Sequence, residues 1–263
     1  MGAPAGERIL ARKDGGIGWL TFNNPERRNA VSLEMWQAMA QVLAEYESDG
    51  DVRVVVLTGA GDKAFASGAD ISQFEKQRAD AAGVKRYEQI SDAAMQRLKS
   101  LDKPTIAMVR GYCLGGGLNV AAACDLRLAA DDARFGIPAA KMGLGYRAEA
   151  MKALVDLVGA AFAREIMITA RQFRAAEALA MGLVHKVVAP AGLEALTRQY
   201  GEMIAANAPL TIRAAKRVIR EVTRGAHDEA ACRAWVEECF RSDDYAEGRR
   251  AFMEKRKPLF RGR

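Results

Sequence analysis

Short, continuous apolar runs alternate with helical patterns through the first half of this chain. The runs at residues 52–57, 105–109 and 126–129 are rich in Val, Ile, Leu and Ala. Unbroken runs of this kind are typical of parallel strands that are buried on both faces. Between the first two runs, apolar residues recur at helical spacing over about residues 84–101. The alternation predicts an α/β fold in which helices connect buried parallel strands.

The flanking segments extend this prediction in both directions. Residues 7–23 are predicted to form two short strands joined by a turn at Asp14-Gly15-Gly16, and Ser32 stands where the N-cap of the next helix is expected. From about residue 148 helical patterns dominate, apart from one short strand at 183–188; the last helices are predicted at 192–206, 209–224, 227–241 and 243–256. We therefore predict a core over residues 1–195 and a helical C-terminal region over residues 196–263.

The composition and the cysteine pattern argue against several classes of protein. Half of the 263 residues are hydrophobic, which suffices for a sizeable core, but no apolar run approaches the ~20 residues that span a bilayer. The four cysteines form no CxxC pair and the chain has two histidines, so we expect no metal site. The opening residues lack the pattern of a signal peptide. We therefore expect a cytoplasmic protein with no membrane partner.

The C-terminal end is strongly basic, in a chain whose formal net charge is +6. A solvated helix face and tail is one interpretation of these charges. Attraction to a phosphate-bearing ligand is another. No motif for reading or stacking on bases accompanies the charge, so we expect no nucleic-acid partner. The basic residues are Arg249, Arg250, Lys255, Arg256, Lys257, Arg261 and Arg263.

Two glycine-rich stretches supply backbone N–H groups where no bulky side chain blocks the approach of a ligand. The first is Ala66-Ser67-Gly68-Ala69-Asp70 and the second is Gly115-Gly116-Gly117-Leu118-Asn119. The second opens a predicted helix, whose first N–H groups lack intrahelical partners and lie at the positive end of the helix dipole. Neither of the common phosphate-loop motifs is present. We therefore expect these turns to bind a small oxyanion rather than a nucleotide phosphate.

A series of short motifs stands in order along nearly the whole chain. Those in the first part are NPERRNA at 24–30, VVLTG at 55–59 and KAFASGADI at 63–71. The middle part contains GYCLGGG at 111–117, CDLR at 124–127 and ARFG at 133–136. The last part contains AAEA at 175–178, MGLV at 181–184 and AFMEKRKP at 251–258. Together these motifs resemble the crotonase superfamily, the enoyl-CoA hydratase/isomerase family.

The resemblance implies a fold and a ligand. The fold is α/β, a crotonase-like spiral of ββα turns with a helical C-terminal trimerisation region, assembled as a homotrimer or homohexamer. The ligand is an acyl-CoA thioester, so coenzyme A arrives as part of the substrate and no bound cofactor is expected. By position, the backbone N–H groups of Ala69 and Gly116 would bond the thioester oxygen. Two such donors stabilise the negative charge of an enolate by on the order of several kcal/mol.

The resemblance also implies which residues contact the substrate. The stretch at 66–72 would lie along the adenine and pantetheine of coenzyme A, with the Asp70 side chain fixing the turn. Phe252 and Lys255 match positions that help to bind the nucleotide, often from a neighbouring subunit. The implied substrate-binding residues are Arg28, Ala66, Ser67, Gly68, Asp70, Ile71, Ser72, Gly115, Ala139, Phe252 and Lys255.

Two positions depart from the hydratase pattern of this family. A hydratase uses two glutamates to position and activate water, and here those positions hold Asn119 and Ala139. An amide can hold a water but cannot take a proton near neutral pH, and a methyl group can do neither. Candidate replacements are Tyr146 and Arg147, which line the pocket or pack the loop. Glu149 is a third, unless it is only a first-turn helix residue favoured by the dipole.

The sequence therefore predicts an acyl-CoA enzyme of this family in which efficient hydration is not expected. One alternative is decarboxylation of a malonyl-type acyl-CoA or isomerisation of an enoyl-CoA, and another is a thioester-binding protein without catalysis. His185 and Asp125 are expected to have structural roles. The candidate catalytic residues are Ala69, Gly116, Asn119, Tyr146, Arg147 and Glu149.

Overall fold

A computed structural model describes residues 8–70, 81–225 and 227–263. Its strands are Ile9–Asp14 (β1), Ile17–Phe22 (β2), Val54–Gly59 (β3), Ala64–Ala66 (β4), Thr105–Val109 (β5), Tyr112–Leu114 (β6), Leu126–Ala130 (β7), Arg134–Gly136 (β8), Phe173–Arg174 (β9) and Lys186–Val188 (β10). Its helices are Leu33–Ser48 (α1), Ala81–Ser100 (α2), Gly116–Ala123 (α3), Ala148–Thr169 (α4), Ala175–Ala180 (α5), Pro190–Ala205 (α6), Pro209–Val222 (α7), Glu229–Phe240 (α8) and Asp243–Met253 (α9), with short 3-10 helices at Pro25–Arg27 and Pro138–Met142.

The strands divide between two sheets. The larger has the order β1-β2-β3-β5-β7-β10 and the smaller has the order β4-β6-β8-β9. Each consecutive pair, β3-β4, β5-β6 and β7-β8, places one strand in each sheet before the chain turns into a helix. The strands contributed by successive pairs are parallel. This repeated ββα turn is the spiral that the resemblance implies, so the predicted fold class is confirmed.

The large sheet is buried on both faces, which explains the continuous apolar runs. In β3, Val55 and Leu57 lie in the main core, beneath helices α1 and α2. The alternate residues Val54 and Val56 lie in a second core on the opposite face, which Leu193 of helix α6 covers. Since side chains alternate along a strand, both faces of β3 require apolar residues.

Two details differ from the sequence prediction. The apolar patterns did not indicate a second sheet, whose strands are only two or three residues long. The strand predicted at 183–188 begins only at Lys186. The N–H groups of Leu183 and Val184 instead donate to the carbonyl of Ala178, at 2.8 and 3.2 Å, and so close the end of helix α5.

The four predicted C-terminal helices are present, with ends shifted by a turn or less. Helix α6 packs across β2, β3, β5 and β7. It spans the predicted domain boundary between residues 195 and 196, and this boundary stays a prediction.

Helix α7 is attached to the core by ion pairs. Lys216 Nζ lies 2.7 Å from Asp125 Oδ2, and Arg217 makes a two-pronged contact with Asp102. Asp125 also accepts hydrogen bonds from the backbone and hydroxyl of Thr105, in keeping with a structural role.

Candidate active site

The first glycine stretch forms a turn that is held to the chain at Val31. The Val31 N–H donates to the Gly68 carbonyl at 2.8 Å, and the Asp70 N–H donates to the Val31 carbonyl at 3.0 Å. In this parallel bridge, Val31 bonds the residues on either side of Ala69. Because successive peptide groups point in opposite directions along extended chain, the Ala69 N–H faces away from Val31.

The second glycine stretch joins strand β6 to helix α3. Gly115 adopts φ 51° and ψ −117°, a conformation that only glycine enters readily, and its N–H donates to the Gly136 carbonyl at 2.9 Å. Gly116 is the first residue of the helix, where N–H groups have no intrahelical acceptor. Within residues 8–70, 81–225 and 227–263, neither the Gly116 N–H nor the Ala69 N–H donates a hydrogen bond.

The two turns lie against each other. A Cβ built on Gly116 would lie 3.7 Å from the Ala69 nitrogen, and one built on Gly68 would lie 3.8 Å from the Gly116 nitrogen. A Cβ on Gly117 would lie only 2.1 Å from the Ala66 carbonyl oxygen. Gly117 therefore permits helix α3 to pack directly on the backbone of β4, and this packing brings the two free N–H groups together.

Polar side chains hold the first turn in place. The Asp70 side chain is 7% exposed, and both its oxygens lie 3.2 Å from Nη1 of Arg27. The Ser67 N–H donates to the Arg28 carbonyl at 3.1 Å, and its hydroxyl donates to the Arg27 carbonyl. These contacts suit an anchoring role for Asp70, the role that its position in the turn indicates.

Sequence reasoning missed a buried asparagine that supports this region. Asn29 is fully buried, and its Nδ2 donates to the carbonyls of Ala64 at 2.7 Å and Ala60 at 3.0 Å. Its Oδ1 accepts from the backbone N–H of Asn24. Asn29 also has a positive φ of 55°, a conformation in which asparagine is favoured. The Asn-Pro pair at 24–25 was a signal for a turn here, but not for a buried amide.

Asn119 and Tyr146 form a hydrogen-bonded pair beside the second turn. Asn119 lies three residues after Gly116 on helix α3, and so projects from nearly the same side of that helix. Its Nδ2 donates to the phenol oxygen of Tyr146 at 3.2 Å. Burial raises the pKa of Tyr146, while the hydrogen bond from Asn119 lowers it by less. The phenol is therefore protonated at neutral pH and keeps its own proton to donate.

Ala139, which the resemblance assigns to the second glutamate position of a hydratase, lies in the short helix Pro138–Met142. It is 3% exposed and belongs to the main core. Its carbonyl accepts from the N–H groups of Gly143 and Leu144, so its backbone shapes the loop that leads to Tyr146. Its methyl group supplies no acid or base.

Arg147 and Glu149 do not join the Asn119–Tyr146 pair. Arg147 makes a two-pronged ion pair with Asp92 of helix α2, both N–O distances being 2.6 Å, and the two side chains are about half exposed. The hydrogen bonds from Arg147 to Asp92 raise the pKa of Arg147. Glu149 is exposed in the first turn of helix α4, where the helix dipole favours a carboxylate.

The remaining predicted residues lie nearer the surface. Arg28 is exposed with a positive φ of 51°, and its guanidinium lies 4.8 Å from the ring centre of Tyr112. Phe252, in the last turn of helix α9, is 83% exposed, and Lys255 follows that helix. Ile71 and Ser72 lie outside the described residues. His185 accepts a hydrogen bond from the backbone of Arg127 through Nδ1, as a structural residue would.

Among the described residues, no group of three His, Cys, Asp or Glu side chains could hold a metal ion. In the same ranges, no helix has both the length and the apolar character that crossing a bilayer demands.

Comparison with known proteins gives consistent matches over the full length. The model of the family described as Enoyl-CoA hydratase/isomerase matches residues 12–263. The chain is 35% identical to the short-chain-enoyl-CoA hydratase of Clostridium acetobutylicum, over 95% of each protein. It is 34% identical to the (E)-benzylidenesuccinyl-CoA hydratase of Thauera aromatica, over 94% of this chain and 96% of that protein.

Solved structures give the same result. The crystal structure of an enoyl-CoA hydratase/carnithine racemase from Magnetospirillum magneticum superposes with a TM-score of 0.92 at 36% identity, covering 98% of this chain and 97% of that one. With the ββα spiral, the family match and these relatives in agreement, the chain belongs to the enoyl-CoA hydratase/isomerase family of the crotonase superfamily, and it is an acyl-CoA-processing enzyme of that family.

Proposed function

We propose that the N–H groups of Ala69 and Gly116 bind the carbonyl oxygen of an acyl-CoA thioester and stabilise its enolate. The observation that carries this proposal is the adjacency of two backbone donors that have no acceptor within the described residues. Both belong to turns fixed by backbone hydrogen bonds, so little reorganisation accompanies binding. Donors fixed in advance around a developing oxyanion contribute about 3–4 kcal/mol each to catalysis.

The side chains beside this oxyanion hole favour donating a proton over removing one. Neither Asn119 nor Ala139 can act as a base near neutral pH, and Tyr146 is protonated there because its pKa is raised. Hydration by two glutamates is therefore not available, although relatives with hydratase names share the fold. A reaction in which the substrate generates its own enolate suits this set of residues better.

Decarboxylation of a malonyl-type acyl-CoA is such a reaction, and it is the candidate that the Asn119–Tyr146 pair favours. The bond between the α carbon and the substrate carboxylate breaks, CO2 leaves, and the electron pair forms the enolate held by Ala69 and Gly116. Tyr146 then gives its phenol proton to the α carbon and regains one from water. Asn119, as donor to the phenol oxygen, stabilises the phenolate that forms transiently.

A substrate panel combined with a matched pair of variants tests both parts. The panel consists of crotonyl-CoA, a 3-enoyl-CoA, malonyl-CoA and methylmalonyl-CoA. Gly116→Pro deletes one donor at the first helical position, where proline is tolerated. Gly116→Ala keeps the donor, and its Cβ makes only ordinary contacts at 3.7–3.8 Å. We expect turnover of a malonyl-type substrate to fall by about 100-fold or more in the proline variant, and to stay near wild type in the alanine variant.

Other outcomes decide between the alternatives. Efficient turnover of crotonyl-CoA would show that hydration proceeds without the two glutamates and would overturn the preference for decarboxylation. Isomerisation of the 3-enoyl-CoA alone would assign proton shuttling to Tyr146 or Glu149. Binding of every thioester without turnover of any would identify a non-catalytic thioester-binding protein.

We also propose that the C-terminal helices join subunits into a homotrimer or homohexamer, with Phe252 and Lys255 reaching the coenzyme A nucleotide of a neighbour. Large apolar side chains exposed together mark interaction surfaces, and here Phe252, Met253 and Leu259 are each at least 75% exposed. Light scattering measures the assembly. If the protein is a monomer by light scattering and still binds coenzyme A esters, this arrangement is contradicted.

A further inference from the structure

A cavity of about 470 Å³ lies between the core and the C-terminal end of the chain. Its walls come from the residues that precede strands β3 and β5, from the first turn of helix α7, and from residues 261–262. We call it the basal cavity, because it lies at the N-terminal ends of two parallel strands. It shares no residue with the candidate active site.

The C-terminal wall of the basal cavity is held by specific bonds. The carboxylate of Asp244, which is 3% exposed, accepts the N–H groups of Arg261 and Gly262, both at 2.7 Å. Arg53 Nη2 donates to the carbonyl of Phe260 at 3.3 Å. These bonds give the cavity a defined wall.

Three cations facing the cavity have no carboxylate partner among the described residues: Arg53, Lys103 and Arg261. Among the residues that the structure describes, Lys103 donates only to carbonyls at the end of helix α1, those of Tyr46 and Asp49, both at 2.5 Å. Because these cations have no carboxylate within hydrogen-bond distance in the described ranges, they give the cavity a positive potential.

The acidic residues of the lining do not cancel these charges by direct contact. Glu47 pairs with Arg97, and Asp102 pairs with Arg217. Burial lowers the pKa of Lys103, the carboxylates of Asp49 and Glu47 raise it, and the neighbouring guanidinium of Arg53 lowers it. Two like charges are therefore close enough to repel, a cost that an anion between them would relieve.

We propose that the basal cavity binds a small organic phosphate of about the size of a nucleoside monophosphate. Guanidinium and ammonium groups are the usual protein partners of phosphate, and the positive end of helix α7, which begins at Pro209 without a side-chain cap, lies in the lining. The apolar side chains of the lining suit a ring attached to that phosphate; they are Val52, Pro104, Ile204, Leu210 and Ile212. The volume lies in the range of small-molecule sites.

Calorimetric titration of the full-length protein with adenosine monophosphate tests this proposal, with adenosine and inorganic phosphate titrated in parallel. We expect the monophosphate to bind at least tenfold more tightly than adenosine, because adenosine lacks the charged group that the cations would bind. Equal affinities, or no binding of the monophosphate, would overturn the proposal. A parallel titration with coenzyme A distinguishes a free nucleotide from the phosphorylated nucleotide of the thioester substrate.

Variants assign the binding to this cavity. Arg261→Gln removes one positive charge from the cavity. Because the Arg261 side chain bonds nothing within the described residues, we expect this variant to keep the fold. Arg53→Gln removes a second positive charge. The matched control is Arg233→Gln, an exposed arginine on helix α8 that pairs with Glu229 away from the cavity. We expect both cavity variants to weaken binding about tenfold and the control to leave it unchanged. Unchanged affinity in both cavity variants places the phosphate elsewhere, including at the candidate active site, and overturns the proposal.

Discussion

The two halves of the candidate active site differ in the groups that form them, backbone in one and side chains in the other. The half that would hold the thioester oxygen consists of backbone N–H groups, and close packing of glycines positions them. The half that would move a proton consists of side chains on one loop and one helix, and only some of them turn inward. The first half depends on positions that have no side chain, whereas the second depends on which side chains contact each other.

The largest effect is expected at Gly117, where the backbone half has no room for any side chain. In Gly117→Ala the new Cβ would lie 2.1 Å from the Ala66 carbonyl oxygen and 2.8 Å from the carbonyl carbon. The Ala66 backbone cannot change rotamer to avoid this clash as a side chain could, so helix α3 must move away from β4. We expect the free energy of unfolding to fall by about 3 kcal/mol or more, as measured by urea denaturation. Gly116→Ala is the matched control, and an equal loss in both variants would contradict the packing argument.

The next effect is expected at Tyr146, the proton donor that we propose for the side-chain half. Tyr146→Phe keeps the ring and removes the phenol, so we expect turnover of a malonyl-type substrate to fall about 100-fold. Tyr200→Phe, on helix α6 across the large sheet, is the control. In the proposed reaction the phenol acts while it is protonated, and its pKa is raised above the ordinary value of about 10. Wild-type activity should therefore persist at neutral pH and decline only as the pH rises through that raised pKa.

A bell-shaped or falling profile near neutral pH would assign the proton to another group. Asn119→Ala tests the assignment to Tyr146, because it removes the hydrogen-bond donor that lowers the pKa of Tyr146. The alkaline decline should then move to still higher pH, which a purely structural role of Asn119 would not cause.

A smaller effect on stability is expected at Asn29, which supports the backbone half through buried hydrogen bonds to the main chain. Asn29→Ala leaves the carbonyl of Ala64 and the N–H of Asn24 without the partners that they have in the buried loop. Each unsatisfied buried group costs about 1–3 kcal/mol, and we expect a total loss of about 2 kcal/mol in urea denaturation. Gln41→Ala, on the exposed side of helix α1, is the control; a loss no larger than the control's would mean that water replaces the amide.

The same division explains what the sequence could reveal. Continuous apolar runs predicted the strands of the large sheet, because a strand buried on both faces needs apolar residues at consecutive positions, as in β3. Glycines at 68 and 115–117 predicted the turns; Gly68 and Gly115 have positive φ angles, which larger residues rarely adopt, and Gly117 has no room for a Cβ. The three-residue strands of the small sheet leave no such pattern. Nor does any local pattern show that Asn29 bonds Ala64, or that Arg147 turns toward Asp92, since these partners lie far apart in sequence and only the spiral brings them together.

The smallest effect is expected at Arg147, and it tests whether the side-chain half extends beyond Tyr146. Arg147 and Asp92 are both about half exposed, and exposed ion pairs contribute less than about 1 kcal/mol. Arg147→Gln and Asp92→Asn should therefore lower stability slightly and equally, because they break the same contact. If Arg147 only ties helix α4 to helix α2, the KM for a malonyl-type substrate should change less than about twofold in both variants. A tenfold rise in KM in Arg147→Gln alone would show instead that this guanidinium leaves Asp92 to bind the carboxylate of the substrate, and would add it to the side-chain half.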